Sequence, residues 1–160
     1  GAGEGMDVIF PERRSDHEVE LALIIGRRAS NVSQADALDV VAGYCIGLDM
    51  SVRGTEDRSM RKSADGYTVL GPWLVTPDEV PDPQKLDFWI KVNGETRQSS
   101  NTGLMTVPID ELIALASRWY TLYPGDVILT GTPEGVGPVV SGDVMEAHIE
   151  SVGTMTVAVR

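Results

Sequence analysis

Polar and apolar residues alternate with a period of two over much of this chain, which predicts strands whose side chains divide between a core face and an outer face. Along residues 44–53, Tyr44, Ile46 and Leu48 fall on one face and suit a core. Cys45, Gly47 and Asp49 share the other face, where a carboxylate among small residues leaves room for a ligand. Leu86, Phe88, Ile90 and Val92 form the inward face of a second strand. Asn93-Gly94 follows at once and is a strong hairpin signal, so residues 95–98 are expected to return as the partner. Residues 7–10 and 18–25 are further strand candidates, ended by Pro11 and Gly26, with a polar turn over residues 13–16 between them. Residues 69–76 carry a Gly-Pro break, residues 127–129 are wholly apolar, and residues 144–149 and 154–159 close the chain. Two segments read as helices instead. Ser33 and Asp36 resemble a capping box that opens a helix from Gln34 to about Val41, stopped by Gly43. Pro108 opens another, in which Ile109, Leu112, Ile113 and Ala116 form the buried stripe. Residues 54–67 are polar and read as a surface loop. Many short strands, two helices and no regular βαβ alternation predict an α+β, β-rich domain built on a curved or rolled sheet.

Size and charge narrow the function. At 160 residues and 42% apolar, the chain is expected to form a single domain over residues 1–160 with a real core. A net charge of −11 argues against a nucleic-acid surface and disfavours an anionic membrane, and no apolar run is long enough for a membrane span. The one cysteine, Cys45, excludes an intrachain disulfide and fits a reducing, cytoplasmic setting. Residues 1–5 are glycine-rich and carry no folding signal. The aromatic residues Trp73, Trp89, Trp119 and Tyr120 are expected in the core or at a dimer contact.

The candidate chemistry is acidic. Glu18 and Glu20 are two apart on a strand, so both can lean toward one cation. Like charges this close repel unless a cation lies between them. With Asp49 they make three carboxylates without a Cys/His cluster, a donor set for Mg²⁺, Mn²⁺ or Ca²⁺ rather than zinc. The plainer reading is the solvated face of an edge strand. Residues 130–137, Thr-Gly-Thr-Pro-Glu-Gly-Val-Gly, form a loop whose backbone at Gly131 and whose threonine hydroxyls can approach a ligand closely. The loop lacks Gly-Lys-Ser/Thr, so it is not a P-loop.

Together these motifs resemble the fumarylacetoacetate hydrolase family in content and order. They are Glu18-Val19-Glu20-Leu21, Leu48-Asp49-Met50-Ser51-Val52-Arg53, Lys62-Ser63, Leu70-Gly71-Pro72, Val92-Asn93-Gly94-Glu95 and the Gly131-Thr132-Pro133-Glu134-Gly135-Val136-Gly137 run. Residues 80–98 look like the acylpyruvase and oxaloacetate decarboxylase branch. The resemblance implies a mixed β-sandwich roll of the family's C-terminal domain type, usually a homodimer. It implies Mg²⁺ or Mn²⁺ on Glu18, Glu20 and Asp49. It implies that Lys62 and Thr132, beside Gly131, hold the carboxylate or oxo group of a small 2-oxo acid, and that Arg53 contacts substrate or braces the loop. The implied activity is metal-dependent C–C hydrolysis of acylpyruvates or other 1,3-diketo acids through a pyruvate enolate, with oxaloacetate decarboxylation through the same enolate.

Two features depart from the family pattern. Relatives carry a His and a Glu on an N-terminal lid as a base pair, whereas the only histidines here are His17 and His148, so the lid segment is expected to be absent from this sequence. Glu56 stands where acylpyruvases often have Gln, and Gly54 where they have Asp. An extra carboxylate at Glu56 would repel an anionic substrate unless protonated or turned away. The competing readings are an isomerase or decarboxylase of unsaturated 2-oxo diacids in aromatic catabolism, a non-catalytic metal- or ligand-binding domain, and a structural domain without metal. Product analysis separates the enzymes, and Mg²⁺-dependent thermal stabilisation separates metal binders from the last reading.

Overall fold

Three antiparallel sheets organise residues 3–160, the residues that the computed structural model describes. Gly1 and Ala2 of the glycine-rich start lie outside them. The first sheet joins β1 (Ser15–His17), β4 (Ser51–Val52) and β9 (Gly137–Val139) in the order β4-β1-β9. The second orders β2 (Val19–Ile25), β3 (Val41–Asp49), β5 (Thr68–Val75) and β8 (Val127–Leu129) as β5-β3-β2-β8. The third orders β6 (Asp87–Val92), β7 (Glu95–Asn101), β10 (Val144–Ile149) and β11 (Gly153–Ala158) as β11-β10-β6-β7. Two helices, α1 (Arg58–Lys62) and α2 (Ile109–Trp119), complete the regular elements. The β-rich α+β class expected from the pattern is the one observed.

The core forms where β10 and β11 lie across β3 and β5. Leu21, Leu23, Ile46 and Leu48 from one sheet meet Ile90, Met145, Ile149 and Val157 from the other in one apolar cluster. The alternation holds on β6, where Phe88, Ile90 and Val92 are buried, with Leu86 buried just before the strand. The Asn93-Gly94 hairpin forms as expected, both residues at positive φ, and β7 runs on to Asn101. Helix α2 buries Ile109 and Ile113, while Leu112 and Ala116 are only half-buried. Its first amide is capped from a distance, Ile109 N donating to Gln84 Oε1 at 2.8 Å.

Several expectations change. Residues 7–10 form no strand: Met6 and Val8 hydrogen-bond to residues 158–160 while Ile9 and Phe10 stay exposed. The polar turn ends at Arg14, because Ser15–His17 is a strand with all three side chains fully buried. The helix expected from Gln34 is two single 3-10 turns, Gln34–Asp36 and Leu38–Val40, although the Ser33 cap on the Asp36 amide is present. Gly43 lies inside β3 rather than ending a helix, since a Cβ there would stand 2.5 Å from Leu74 and from the Val75 carbonyl of the neighbouring strand. The polar stretch after residue 54 contains α1, opened by Asp57, whose carboxylate accepts from Ser59 N at 2.9 Å. Trp73, Trp119 and Tyr120 are exposed, so they are not core residues. Trp89 is half-buried and stacks on His148.

Candidate metal and substrate site

Register places the acidic residues. In the β2–β3 ladder Val19 faces Leu48 and Glu20 faces Gly47, and Asp49 N donates to Glu18 O at 2.9 Å just beyond the strand end. Glu18 occupies the junction between β1 and β2. Glu18, Glu20 and Asp49 thus each bring one carboxylate oxygen to within 4.8 Å of the other two. The room expected beside Gly47 is taken by the protein itself: a Cβ there would meet Leu129 of β8 at 2.5 Å. Glycine at this position seats the edge strand, and the ligand space lies further along, at Asp49.

Opposite charges interleave around the cluster. Lys62, carried by α1, donates to Glu18 Oε2 at 2.6 Å and to Asp49 Oδ2 at 2.5 Å. Burial alone would lower the Lys62 ammonium, but the Asp49 and Glu18 hydrogen bonds outweigh it and hold its pKa above the ordinary lysine value. Arg53 donates to Asp16 Oδ2 at 2.7 Å and to Glu18 Oε1 at 3.2 Å, and Arg14 makes a two-pronged contact with Asp16. Burial would raise Asp16, yet the Arg14 and Arg53 contacts prevail and keep it below the usual carboxylate range. Glu20 has less support. Burial pushes it up to about 7, opposed by the amide of Gly131, which donates to its Oε2 at 2.5 Å.

This donor set fits a divalent cation. Three carboxylates face one point, and the Lys62 ammonium and Arg53 guanidinium offset part of their charge. All three donors are oxygen, and among the described residues no histidine or cysteine joins the cluster, which suits Mg²⁺ or Mn²⁺. His17 is fully buried with Nδ1 on Gln98 Oε1 at 3.0 Å, and burial lowers its pKa.

The structure brings together Glu18, Glu20, Asp49, Lys62, Arg53 and Gly131 of the residues singled out by sequence. Thr132 is adjacent, but its hydroxyl is engaged by protein, donating to Val19 O at 2.9 Å and accepting from Gln98 Nε2 at 2.8 Å. Glu56 is turned onto Arg13, at 2.7 and 3.0 Å, so its carboxylate is matched. Gly54 makes that clasp possible, because a Cβ there would overlap the Arg13 guanidinium and the Glu56 carboxylate.

Two residues of the site escape sequence reasoning. Asp16 continues the period-two series Asp16, Glu18, Glu20, a signal visible in the sequence but hidden by reading residues 13–16 as a turn. Gln98 has no such signal. It lies in a polar strand, yet it is buried, and it joins β7 to His17, Val19 N, Thr132 and the Pro133 carbonyl.

Comparison with known proteins identifies the family. The family model described as fumarylacetoacetate (FAA) hydrolase C-terminal matches residues 2–160. A maleylpyruvate hydrolase of Aquipseudomonas alcaligenes is 59% identical over 160 residues, all of this chain and 56% of that protein. The crystal structure of maleylpyruvate hydrolase from Sphingobium sp. SYK-6 in complex with manganese(II) and pyruvate superposes with a TM-score of 0.90 at 47% identity, over 97% of this chain and 57% of that one. A 5-carboxymethyl-2-hydroxymuconate delta-isomerase from Mycobacterium smegmatis superposes at 0.88 with 40% identity, over 96% and 61%. The chain therefore spans a little over half the length of these relatives.

Proposed function

Because the chain belongs to the fumarylacetoacetate hydrolase C-terminal family, we propose that it carries the catalytic centre of a divalent-metal-dependent acylpyruvate hydrolase. Water adds to the distal acyl carbonyl, the C–C bond to the pyruvyl methylene breaks, and a carboxylic acid and the enolate of pyruvate result. Protonation of the enolate carbon then gives pyruvate. Glu18, Glu20 and Asp49 are the residues that would hold Mg²⁺ or Mn²⁺, which supplies Lewis acidity to an oxo oxygen as it becomes negative.

The chain's own residues do the rest of the positioning. Lys62 stays charged at neutral pH and stands at the cluster, so its ammonium is preorganised to share the enolate's charge. Arg53 acts as a brace, since its guanidinium ties Glu18 to the buried Asp16. Gly131 fixes Glu20, and Gln98 with the Val19 carbonyl fixes Thr132, which makes the 130–133 backbone a rigid wall for the 2-oxo acid. A homodimer would cover the exposed Trp119 and Tyr120 at the end of α2.

The single observation that carries this reading is the three-carboxylate cluster with Lys62 in its midst, in a chain so similar to a maleylpyruvate hydrolase. In calorimetry, oxalate, a planar mimic of pyruvate enolate, should bind in the presence of Mn²⁺ and not in EDTA. Asp49→Ala should abolish that binding and lower Mn²⁺-dependent pyruvate release from an acylpyruvate at least about 10³-fold, because a catalytic ion contributes several kcal/mol. Undiminished turnover in Asp49→Ala would refute the assignment. The isomerase-like neighbour motivates a second reading, isomerisation of an unsaturated 2-oxo diacid at the same centre. NMR of the products separates them, since only hydrolysis yields free pyruvate.

A further inference from the structure

Four of the chain's 13 lysines and arginines line one pocket of about 220 Å³ beside the acidic cluster. They are Arg53, Arg58, Arg61 and Lys62, and the remaining wall is Glu18. Two of these cations are neutralised, Lys62 on Glu18 and Asp49 and Arg53 on Asp16 and Glu18. The other two are not paired in this way. Arg61 donates to carbonyls, to Glu56 O at 3.0 Å and Val52 O at 3.4 Å, and its charge is felt by the Glu56 and Asp57 carboxylates without an ion pair to either. Arg58 makes no hydrogen bond or ion pair among the described residues. The nearest acids in sequence are committed elsewhere, Glu56 to Arg13 and Asp57 to the amide and hydroxyl of Ser59. Arg58 and Arg61 are three apart on α1 and therefore share a face.

Two guanidinium groups without an ion pair on one wall suit a carboxylate, because the planar fork of arginine matches both oxygens of a carboxylate. We infer that this pocket is a carboxylate subsite, in which Arg58 and Arg61 take the distal acid of a dicarboxylic acylpyruvate. The inference presupposes the acylpyruvate chemistry proposed above, with the pyruvyl end at Lys62 and at the cation that Glu18, Glu20 and Asp49 would hold. At about 30 Å³ per water-sized group, the pocket has room for a short unsaturated acid. Arg58, exposed and without a partner, is the residue that can close on it, and Arg61 is the fixed one. The site then selects for the second carboxylate rather than merely tolerating it.

The test compares the Mn²⁺-loaded intact protein with Arg58→Ala and Arg58→Lys on two substrates. These are maleylpyruvate and an acylpyruvate of equal length that ends in a methyl group. Arg58→Ala should lower the ratio of kcat/KM for the diacid over the monoacid about 10- to 100-fold, mostly through KM, and Arg58→Lys should recover part of it. Circular dichroism checks that the variants fold, which is expected of an exposed side chain without partners. A ratio unchanged in folded Arg58→Ala overturns the subsite. Equal losses on both substrates also overturn it, because they place Arg58 at the pyruvyl end. Failure of the wild-type protein to cleave either substrate or to bind oxalate is a different result: it removes the acylpyruvate reading and this subsite with it.

Discussion

The two four-stranded sheets differ in which faces they bury. In the β11-β10-β6-β7 sheet, strands β6, β10 and β11 alternate strictly, one face in the core and the other toward solvent. In the β5-β3-β2-β8 sheet, β2 and β3 are buried on both faces over most of their length. Their second face holds Glu20 and the partly buried Asp49, with Glu18 beside it. A sheet with one wet face is stabilised by the area it removes from water and has no place to keep a desolvated charge. A sheet covered on both sides can desolvate carboxylates, which raises the free energy of the metal-free fold and makes those carboxylates strong ligands. The carboxylate cluster proposed to hold the metal lies in the β5-β3-β2-β8 sheet for that reason.

The largest test of this contrast is a core truncation in the β11-β10-β6-β7 sheet. Ile149 on β10 is fully buried, facing Phe88 and Gly153 in the ladder. Ile149→Ala should destabilise the protein by about 2–5 kcal/mol through lost burial and the cavity left behind. Urea denaturation measures this, and metal-dependent turnover per folded molecule should be unaltered. A fall in turnover ahead of unfolding would show that the two sheets are not separate in function.

The opposite sign is expected in the second sheet. The carboxyl of Glu20 is raised from about 4.5 to about 7 by burial. A group whose pKa is higher in the folded state contributes stability that is complete below its unfolded value and disappears as pH rises through the folded value. Protein stripped of metal should therefore lose on the order of 2–3 kcal/mol between about pH 4.5 and pH 7 on account of this residue. Glu20→Gln should flatten that slope and melt higher than the wild type at pH 8 in EDTA, while losing Mn²⁺-dependent turnover. Thermal melts across this range decide it, and a wild-type slope that survives in Glu20→Gln would assign the effect to other groups.

The same contrast explains how much of the fold and of the site is legible in the amino-acid pattern. Phe88, Ile90 and Val92 announce their strand because one face of it is wet, and Asn93-Gly94 announces its turn. The metal candidates Glu18, Glu20 and Asp49 are legible through the motifs that resemble the family, because the spacing of Glu18 and Glu20 alone reads as plainly as the solvated face of an edge strand. Ser15, Asp16 and His17 are not, because polar residues ordinarily read as surface, and only the Arg14 and Arg53 contacts make the burial of Asp16 tolerable. Helix α1 is hidden for the converse reason: its residues bury nothing fully, and it is held by its Asp57 cap and by Lys62 reaching the cluster. Gln98 is hidden because its partners are 34 to 81 residues away in sequence.

Gln98 also sharpens the last and smallest prediction, since it is the residue of the hairpin β6–β7 that reaches the site. Gly94 closes that hairpin at φ +82°, next to Asn93 at +53°, and a Cβ at Gly94 would meet nothing within 4 Å. Gly94→Ala therefore tests the backbone alone, and the left-handed conformation should cost about 1 kcal/mol. The register from Glu95 to Gln98 is set on its partner strand, where Val92 faces Glu95 and Ile90 faces Gln98 across a bulge. That bulge sits between the turn and Gln98, so strain in the turn should be absorbed before it reaches His17 and Thr132. Urea denaturation should show the small loss, and kcat and KM should match the wild type. Should KM rise while the stability loss stays near about 1 kcal/mol, the bulge does not isolate the turn, and Gln98 passes the strain of an exposed hairpin into the wall of the site.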